Sequence, residues 1–362
     1  MVTVHTGREL LNGGLLGEPG ASYSRLLESC APTSPGGASQ CTGVTVGIAG
    51  LGLIGGSLGM ALRRAHRHAN YDQGNHDSLH VCDVPGHCVA PGRWHVLGHD
   101  VAPGVGERAL ALGAIDEFVP TLGGLAARAD ILVVAAPTSQ VAAVVLEAAR
   151  YVAPHTVVTD CGSVKAPIIQ ALSQGLGSDV EFIGGHPMAG AEAQGIDAAT
   201  PDLFKGARWA LSQVPGRPAT RLAREKLETL IQAVGAIPVG VEASEHDRAV
   251  AFCSHLPYVL AVALALTCCD AGKRTPALEL LAARSFWDMT RIARALPEAP
   301  LDYCTFNKAY LLQALDGLRG SLDALRNALS GDERDRLCSM ASAAREFLIT
   351  MDYQRCLTPP GS

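Results

Sequence analysis

Val44-Thr-Val-Gly-Ile-Ala-Gly-Leu-Gly-Leu-Ile-Gly-Gly-Ser-Leu-Gly-Met-Ala-Leu62 decides the fold. A β-rich run, Val44 to Ala49, leads into Gly50, Gly52 and Gly55, and an apolar helix carrying Leu58, Ala61 and Leu62 follows. That order is what a dinucleotide-binding βαβ unit requires. Gly50 permits the tight turn. Gly52 lacks a Cβ, so backbone N–H groups can approach a pyrophosphate, and Gly55 lets the helix pack closely on the strand. The helix N-terminus then faces the phosphates with unpaired N–H groups and the positive end of its dipole. Gly50, Leu51, Gly52, Leu53, Ile54 and Gly55 are therefore the expected cofactor loop. A glycine-rich turn with no ligand is the plainer alternative, since 39 of 362 residues are Gly. The strand before and the helix after weigh against it.

The rest of the chain fits a large globular core. Apolar residues make up 48% and charged residues 18%, which excludes a disordered chain. The net charge of −6 and the lack of a basic run argue against nucleic acid as a partner. The longest apolar stretch, Val259 to Thr267, is about half of the ~20 residues a membrane span needs, so no membrane association is expected. Eleven scattered cysteines predict reduced thiols and a cytoplasmic location rather than a disulfide framework.

Residues 1–43, rich in Gly, Pro and Ser, read as a flexible tail; Glu9, Glu18 and Glu28 count against a transit peptide. Residues 66–93 are polar and broken by Gly and Pro, an insertion where a βαβ unit normally reaches its second strand after about 20 residues. Seven of the twelve histidines lie between His66 and His99, with Cys82 and Cys88 among them, but their spacing matches no closed zinc pattern. A surface insertion without metal is expected. The second sheet strand then falls at Trp94 to Gly98 and ends in Asp100. An acid there accepts hydrogen bonds from ribose hydroxyls and repels a 2′-phosphate, which favours NAD over NADP. Asp83 competes for that role.

Glu107–Leu112 reads as a helix, Ala129–Ala136 as a buried strand ending at Pro137, and Val141–Tyr151 as the next helix. The strand Thr156–Asp160 delivers Ser163 and Lys165 at a carboxyl end, where ligands bind in open α/β sheets. His186 stands among Gly and Pro at another strand end, well placed to titrate against a substrate. Lys205–Leu211 and Ile237–Val241 read as late strands flanking the helix Arg221–Val234. From Ser244 the pattern turns helical: His246–Cys269, Pro276–Arg294, Thr305–Ala328 and Glu333–Met351. Their apolar stripes are too wide for one solvated face, which predicts a helical domain that also dimerises. The fold class is thus α/β, with a Rossmann-type dinucleotide-binding domain over 44–243, an all-α dimerisation domain over 244–352 and a short tail, 353–362. No mutase or separate regulatory α/β domain is expected, from the lengths of the stretches before residue 44 and after about 330.

These motifs resemble those of the prephenate/arogenate dehydrogenase family of tyrosine biosynthesis. Gly50 to Leu58 resembles its cofactor loop, Asp160-Cys-Gly-Ser-Val-Lys165 its D-x-x-S-x-K segment, and Gly185-His-Pro-Met-Ala-Gly-Ala-Glu192 its most specific signature. Glu245-His-Asp-Arg248, Ser254-His-Leu-Pro257 and Thr290-Arg-Ile-Ala293 resemble its helical motifs, in the same order. The resemblance implies oxidative decarboxylation of prephenate or arogenate with NAD. It implies that His186 accepts a hydrogen bond from the substrate 4-hydroxyl and that Ser163 aligns hydroxyl and nicotinamide. Arg291 would pair with a substrate carboxylate and Glu192 would gate the pocket or pair with Arg291. His246, His255 and Tyr258 would line the pocket, and Pro137 and Lys165 would join Ser163 and Asp100 at the cofactor. Three positions depart from the pattern: Tyr258 replaces a second histidine, Trp287 an occasional basic residue, and Pro300 a frequent tryptophan. They bear on the choice between a keto-acid and an amino-acid substrate. A β-hydroxyacid dehydrogenase would need a G-x-x-x-K-x-x-N helix motif, and Asn307-Lys308 has the wrong order. A non-catalytic NAD sensor would lack His186 or Arg291, and both are present.

Overall fold

The computed structural model describes residues 43–71, 81–84, 87–89 and 94–357. The expected tail before residue 43, the last residues after 357 and most of the 66–93 stretch lie outside them.

Ten strands are described: β1 (Val44–Ala49), β2 (Val81–Val84), β3 (His87–Val89), β4 (Trp94–His99), β5 (Glu117–Phe118), β6 (Ile131–Val134), β7 (Val157–Asp160), β8 (Glu181–Pro187), β9 (Arg208–Gln213) and β10 (Ile237–Gly240). β2 and β3 form an antiparallel hairpin of their own. The other strands build one sheet in the order β10-β9-β8-β7-β6-β1-β4-β5. From β5 to β8 all pairings are parallel, the doubly wound order of dinucleotide-binding domains. β9 then runs antiparallel to β8, and β10 parallel to β9. The connections explain the change of sense. A parallel return needs a crossover, which a helix supplies between β9 and β10. Between β8 and β9 lie loops and one 3₁₀ turn, Ile196–Ala198. Val46, Ile48, Leu97, Leu132, Val133 and Val158 fill the sheet interior and are fully buried. Such runs of apolar β-formers are what a sheet covered on both faces needs.

Helices α1 (Leu53–Tyr71), α2 (Val105–Ala111), α3 (Leu122–Arg128), α4 (Thr138–Ala148), α5 (Ala166–Gly175) and α6 (Arg221–Ala233) connect the strands. α1 runs to Tyr71, so the insertion starts later than residue 66. Of the histidines in the 66–99 stretch, those whose side chains are described make separate contacts. His66 Nδ1 accepts the Trp94 N–H at 3.2 Å, and His99 Nδ1 bonds the Val119 carbonyl at 2.9 Å.

The C-terminal part is helical: α7 (Ala243–Val250), a π turn (Ala251–His255), α8 (Leu256–Gly272), α9 (Ala277–Leu281), α10 (Arg284–Thr290), a 3₁₀ turn (Arg291–Arg294), α11 (Glu298–Phe306), α12 (Lys308–Ser330) and α13 (Arg334–Leu357). Two expected helices are broken. Pro276–Arg294 is interrupted where Ala282 and Ala283 turn extended. The expected Thr305–Ala328 helix is split at Asn307, whose φ of −103° and ψ of 24° end α11 and start α12. A third expectation also needs correction. Ala243–Gly272 is one 30-residue helix, long and apolar enough by length and composition to cross a membrane. The expected helix His246–Cys269 lies within it; only the apolar length was underestimated, because Pro257 and the polar first turns bound the uninterrupted stretch Val259 to Thr267. In the fold the π turn carries the chain past Pro257, whose missing N–H breaks an ordinary α ladder.

The glycines of the first turn give a test. A Cβ on Gly55 would overlap the Gly50 carbonyl oxygen, whereas a Cβ on Gly52 would meet nothing within 4 Å. Gly55→Ala should lower stability by about 1–3 kcal/mol or more, as overpacking against backbone does. Gly52→Ala should leave the melting temperature nearly unchanged and raise the KM for the dinucleotide. Equal melting temperatures for the two variants would contradict the packing described.

Candidate active site

The glycine loop sits where strand order reverses, between β1 and β6. Gly50 has a φ of 98°, and its N–H donates to the His99 carbonyl at 2.8 Å. A side chain there would also press within 2.6 Å of the Ala135 carbonyl. Asp100, at the end of β4, turns toward this loop: Oδ2 accepts the Leu51 N–H at 2.7 Å and Oδ1 the Ala102 N–H at 2.8 Å. Asp83 lies on β2, and its side chain is outside the described residues. Pro137, exposed at the end of β6, leads into α4, where Thr138 Oγ1 accepts the Ser163 N–H at 3.2 Å. The ends of β6 and β7 are thereby joined beside the loop. The open space at Gly52, the helix N-terminus of α1 and the adjacent Asp100 carboxylate fit a dinucleotide.

Lys165 requires a correction. Its side chain is wholly buried, and its ammonium is taken up by groups at the ends of β7 and β8. The ammonium pairs with Asp160 Oδ2 and donates to the Gly185 carbonyl at 2.6 Å. Asp160 in turn accepts N–H groups from Gly162 at 2.8 Å and Gly185 at 3.0 Å. The pair ties the end of β7 to β8, one residue before His186. Gly185 permits this approach, because a Cβ there would overlap the Asp160 carbonyl.

His186 is fixed in the ladder between β8 and β9, opposite Ala210. Its Nδ1 lies 2.9 Å from His246 Nε2, and His246 Nδ1 lies 2.7 Å from Asp247 Oδ1. One proton arrangement satisfies this string. The Asp247 carboxylate accepts His246 Nδ1–H, so His246 Nε2 is the acceptor for His186 Nδ1–H. His186 Nε2 is left with a bare lone pair. Burial, then the nearby charges of His246, Lys165 and His255, hold the His186 pKa well below the usual histidine value. The ring is therefore neutral at physiological pH, as an acceptor must be.

Asp247 was not among the sequence candidates, although it stands in the motif beside His246. Oδ1 also accepts the Lys165 N–H at 2.7 Å, and Oδ2 accepts the Ala166 N–H at 2.7 Å. A carboxylate from the helical domain thus caps α5 of the sheet domain. His255 is fully buried, stacks on Tyr303 with ring centroids 4.6 Å apart, and has its pKa pushed by burial to about 4. Tyr258 meets Tyr303 edge-on at 6.5 Å. Arg291 and Glu192 pair with each other, and both are substantially exposed. Trp287 carries the Arg294 guanidinium over its ring at 5.1 Å, and Pro300 is buried.

Comparison with known proteins agrees with this geometry. A family model for the prephenate dehydrogenase nucleotide-binding domain matches residues 90–238, and one for the prephenate dehydrogenase dimerization domain matches 242–342. The chain is 31% identical to prephenate dehydrogenase of Lactococcus lactis over 294 residues, 80% of this chain and 71% of that protein. The chain belongs to the prephenate dehydrogenase family. The Bacillus subtilis prephenate dehydrogenase is 29% identical over 304 residues, covering 84% of this chain and 75% of the relative. Among solved structures, Synechocystis arogenate dehydrogenase superposes with a TM-score of 0.66 at 27% identity, covering 85% of this chain and 100% of that one. The A. aeolicus prephenate dehydrogenase solved with hydroxyphenyl propionate and NAD⁺ shares the fold, with a TM-score of 0.70 at 24% identity over 86% of this chain and 99% of that one. The family supports a nicotinamide dinucleotide as cofactor and a helical domain that dimerises.

Removing one partner of a fully buried ion pair leaves the other uncompensated, which typically costs about 3–5 kcal/mol. Lys165→Met should therefore lower the melting temperature sharply, as measured by thermal denaturation with and without dinucleotide. A variant as stable as the parent would show that Asp160 does not depend on Lys165.

Proposed function

We propose that this protein catalyses NAD-dependent oxidative decarboxylation of prephenate, arogenate or both, as a cytoplasmic homodimer. The observation that carries the reading is the Asp247–His246–His186 string, which presents a neutral imidazole nitrogen at the end of β8. The nicotinamide, when bound, takes a hydride from the substrate carbon that bears the 4-hydroxyl. That carbon gains C=O character as the hydride leaves, so the hydroxyl proton must be withdrawn. His186 Nε2 accepts it. Desolvation alone would make His186 a weak base, but the string offsets this. As Nε2 gains a proton, Nδ1–H can pass to His246, and the positive charge comes to rest beside the Asp247 carboxylate. Loss of the ring carboxylate as CO₂ then aromatises the product and makes the step irreversible.

Arg291 is the proposed partner of a substrate carboxylate. Its present partner, Glu192, is exposed, and solvent-exposed pairs are weak. A substrate carboxylate can therefore take its place in a bidentate contact. Ser163 Oγ makes no hydrogen bond to another described residue and stands beside Thr138, which suits a role in holding hydroxyl and nicotinamide in register. Tyr258, His255 and His246 complete the pocket on the helical side. Dimerisation is supported by the low burial of the long apolar helix within one chain, 28% of its most apolar window. Free thiols at Cys161, Cys253, Cys268, Cys269, Cys304 and Cys338 support the reducing, cytoplasmic setting.

His186→Asn should leave dinucleotide affinity intact and reduce kcat by roughly two to four orders of magnitude. The acid limb of kcat/KM should lie below about pH 6.5, the unperturbed histidine value, because burial opposes protonation. The same shift affects stability. Below pH 6.5 the unfolded chain takes up a proton that the buried ring refuses, so stability falls as pH drops toward the lowered native value. Stopped assays and thermal melts across pH 4–8 check both, at about unit spacing. An acid limb above 6.5, or near-normal kcat in His186→Asn, would remove His186 from the mechanism.

Asp100 supports NAD over NADP. Purified protein assayed with each dinucleotide against prephenate and arogenate, by reduced-nicotinamide absorbance, should give a higher kcat/KM with NAD. Asp100→Ala should narrow the gap, while Asp83→Ala should not.

A further inference from the structure

Asn307 is a buried residue that neither the motifs nor the proposed chemistry employs. It occupies the break between α11 and α12, and its amide nitrogen reaches in two directions. Nδ2 donates to the Asp247 carbonyl at 2.7 Å and lies 3.1 Å from His255 Nδ1. A backbone carbonyl only accepts, which fixes the amide orientation: Nδ2, not Oδ1, faces Asp247. The second N–H of the same nitrogen then points at His255 Nδ1, so Nδ1 must be the acceptor. The imidazole proton is forced onto Nε2. His255 Nε2 is buried and has no hydrogen-bond partner among the described residues. Buried donors are rarely left unpaired, so this one calls for a partner that the described residues do not supply. His255 sits on the π turn that follows α7, and Asn307 joins it to Asp247, which holds His246 against His186.

We propose that Asn307 is a positioning residue that locks His255 as the Nε2–H tautomer, making it a single-proton donor to a carboxylate or keto oxygen of the substrate. The inference rests on the dehydrogenase reading for the identity of that substrate. The tautomer follows from the hydrogen-bond geometry alone. Its burial keeps His255 neutral, so it supplies one directed N–H rather than a mobile charge. Asn307 thereby serves two histidines at once: it bonds His255 directly, and it holds the backbone of Asp247, whose side chain orients His246.

The test reads the tautomer and the kinetics together. Protein labelled with ¹⁵N-histidine, with the His255 resonance assigned by its loss in His255→Gln, should show His255 protonated on Nε2 at neutral pH. Adding 4-hydroxyphenylpyruvate should shift that Nε2–H resonance. Asn307→Asp presents only acceptors, so the proton should move to Nδ1. The substrate KM should then rise about tenfold or more, the loss expected for a directed hydrogen bond to a charged group, with the dinucleotide KM unchanged within about twofold. Adding His255→Gln to Asn307→Asp restores an N–H near the Nε2 position and should bring the substrate KM back down. A His255 proton on Nδ1 in the parent protein overturns the proposal, as does an Nε2–H that ignores the added ligand. So does a proton that moves in Asn307→Asp without a change in substrate KM. If Asn307→Asp does not fold, the parent spectrum and the ligand titration decide. If neither prephenate nor arogenate is turned over, the functional reading fails separately, and the His255 tautomer is still read directly.

Discussion

The Asp247 carboxylate is the interaction on which the rest of the site depends. One oxygen accepts the Lys165 N–H and holds His246; the other accepts the Ala166 N–H. The residue belongs to the first helix of the C-terminal domain, yet it caps a helix of the sheet domain whose own N-cap, Lys165, offers no side-chain acceptor. Negative charge is favoured at a helix N-terminus, where unpaired N–H groups and the dipole meet it. The same atoms therefore fasten the two domains and dictate where the histidine protons sit. Any shift of the domains at this contact alters the hydrogen-bond string that ends at His186.

A second constraint is charge balance in a dry interior. Lys165 and Asp160 are both fully buried, and the pair is tolerable only because Asp160 collects further N–H donors and Lys165 a further carbonyl. The Lys165 charge close to His186 helps keep that ring neutral. A structural ion pair thus also bears on the proton affinity of His186. Burial acts in the same sense on His255. His186 and His255 thus stand close together without adding positive charge, because burial keeps both rings neutral.

The helical domain shows the opposite economy. Leu266, Leu322, Leu325 and Leu329 are exposed in the single chain. The long helix that begins with His246 and Asp247 continues into this apolar region. The residues that hold His186 and the apolar stretch therefore share one continuous helical run, with the π turn between them. The turn places His255 beside Asn307 while allowing Pro257 inside an otherwise continuous helix.

The sequence alone determined the dinucleotide fold, because strand, glycine spacing and helix are local signals set by backbone sterics. It also singled out His186, Ser163, Glu192 and Arg291 as candidates, because they stand in short motifs. Asp100 was legible from the strand that precedes it. What it could not determine were relations between distant segments. Lys165 looked like a cofactor contact because it follows a strand end, but its side chain turns inward to Asp160. Asp247 stands in a motif that did not reveal its role, and Asn307 gave no signal: an acid near a helix start and an asparagine between helices are common features of any chain. Their roles exist only once segments 60 residues apart, Asp247 and Asn307, come within hydrogen-bond distance. The antiparallel turn of β9 likewise depends on how the chain returns across the sheet. Local sequence fixes elements through propensity and spacing; proton positions and buried pairs follow from tertiary contact, since desolvation and partner geometry are absent until the chain has folded.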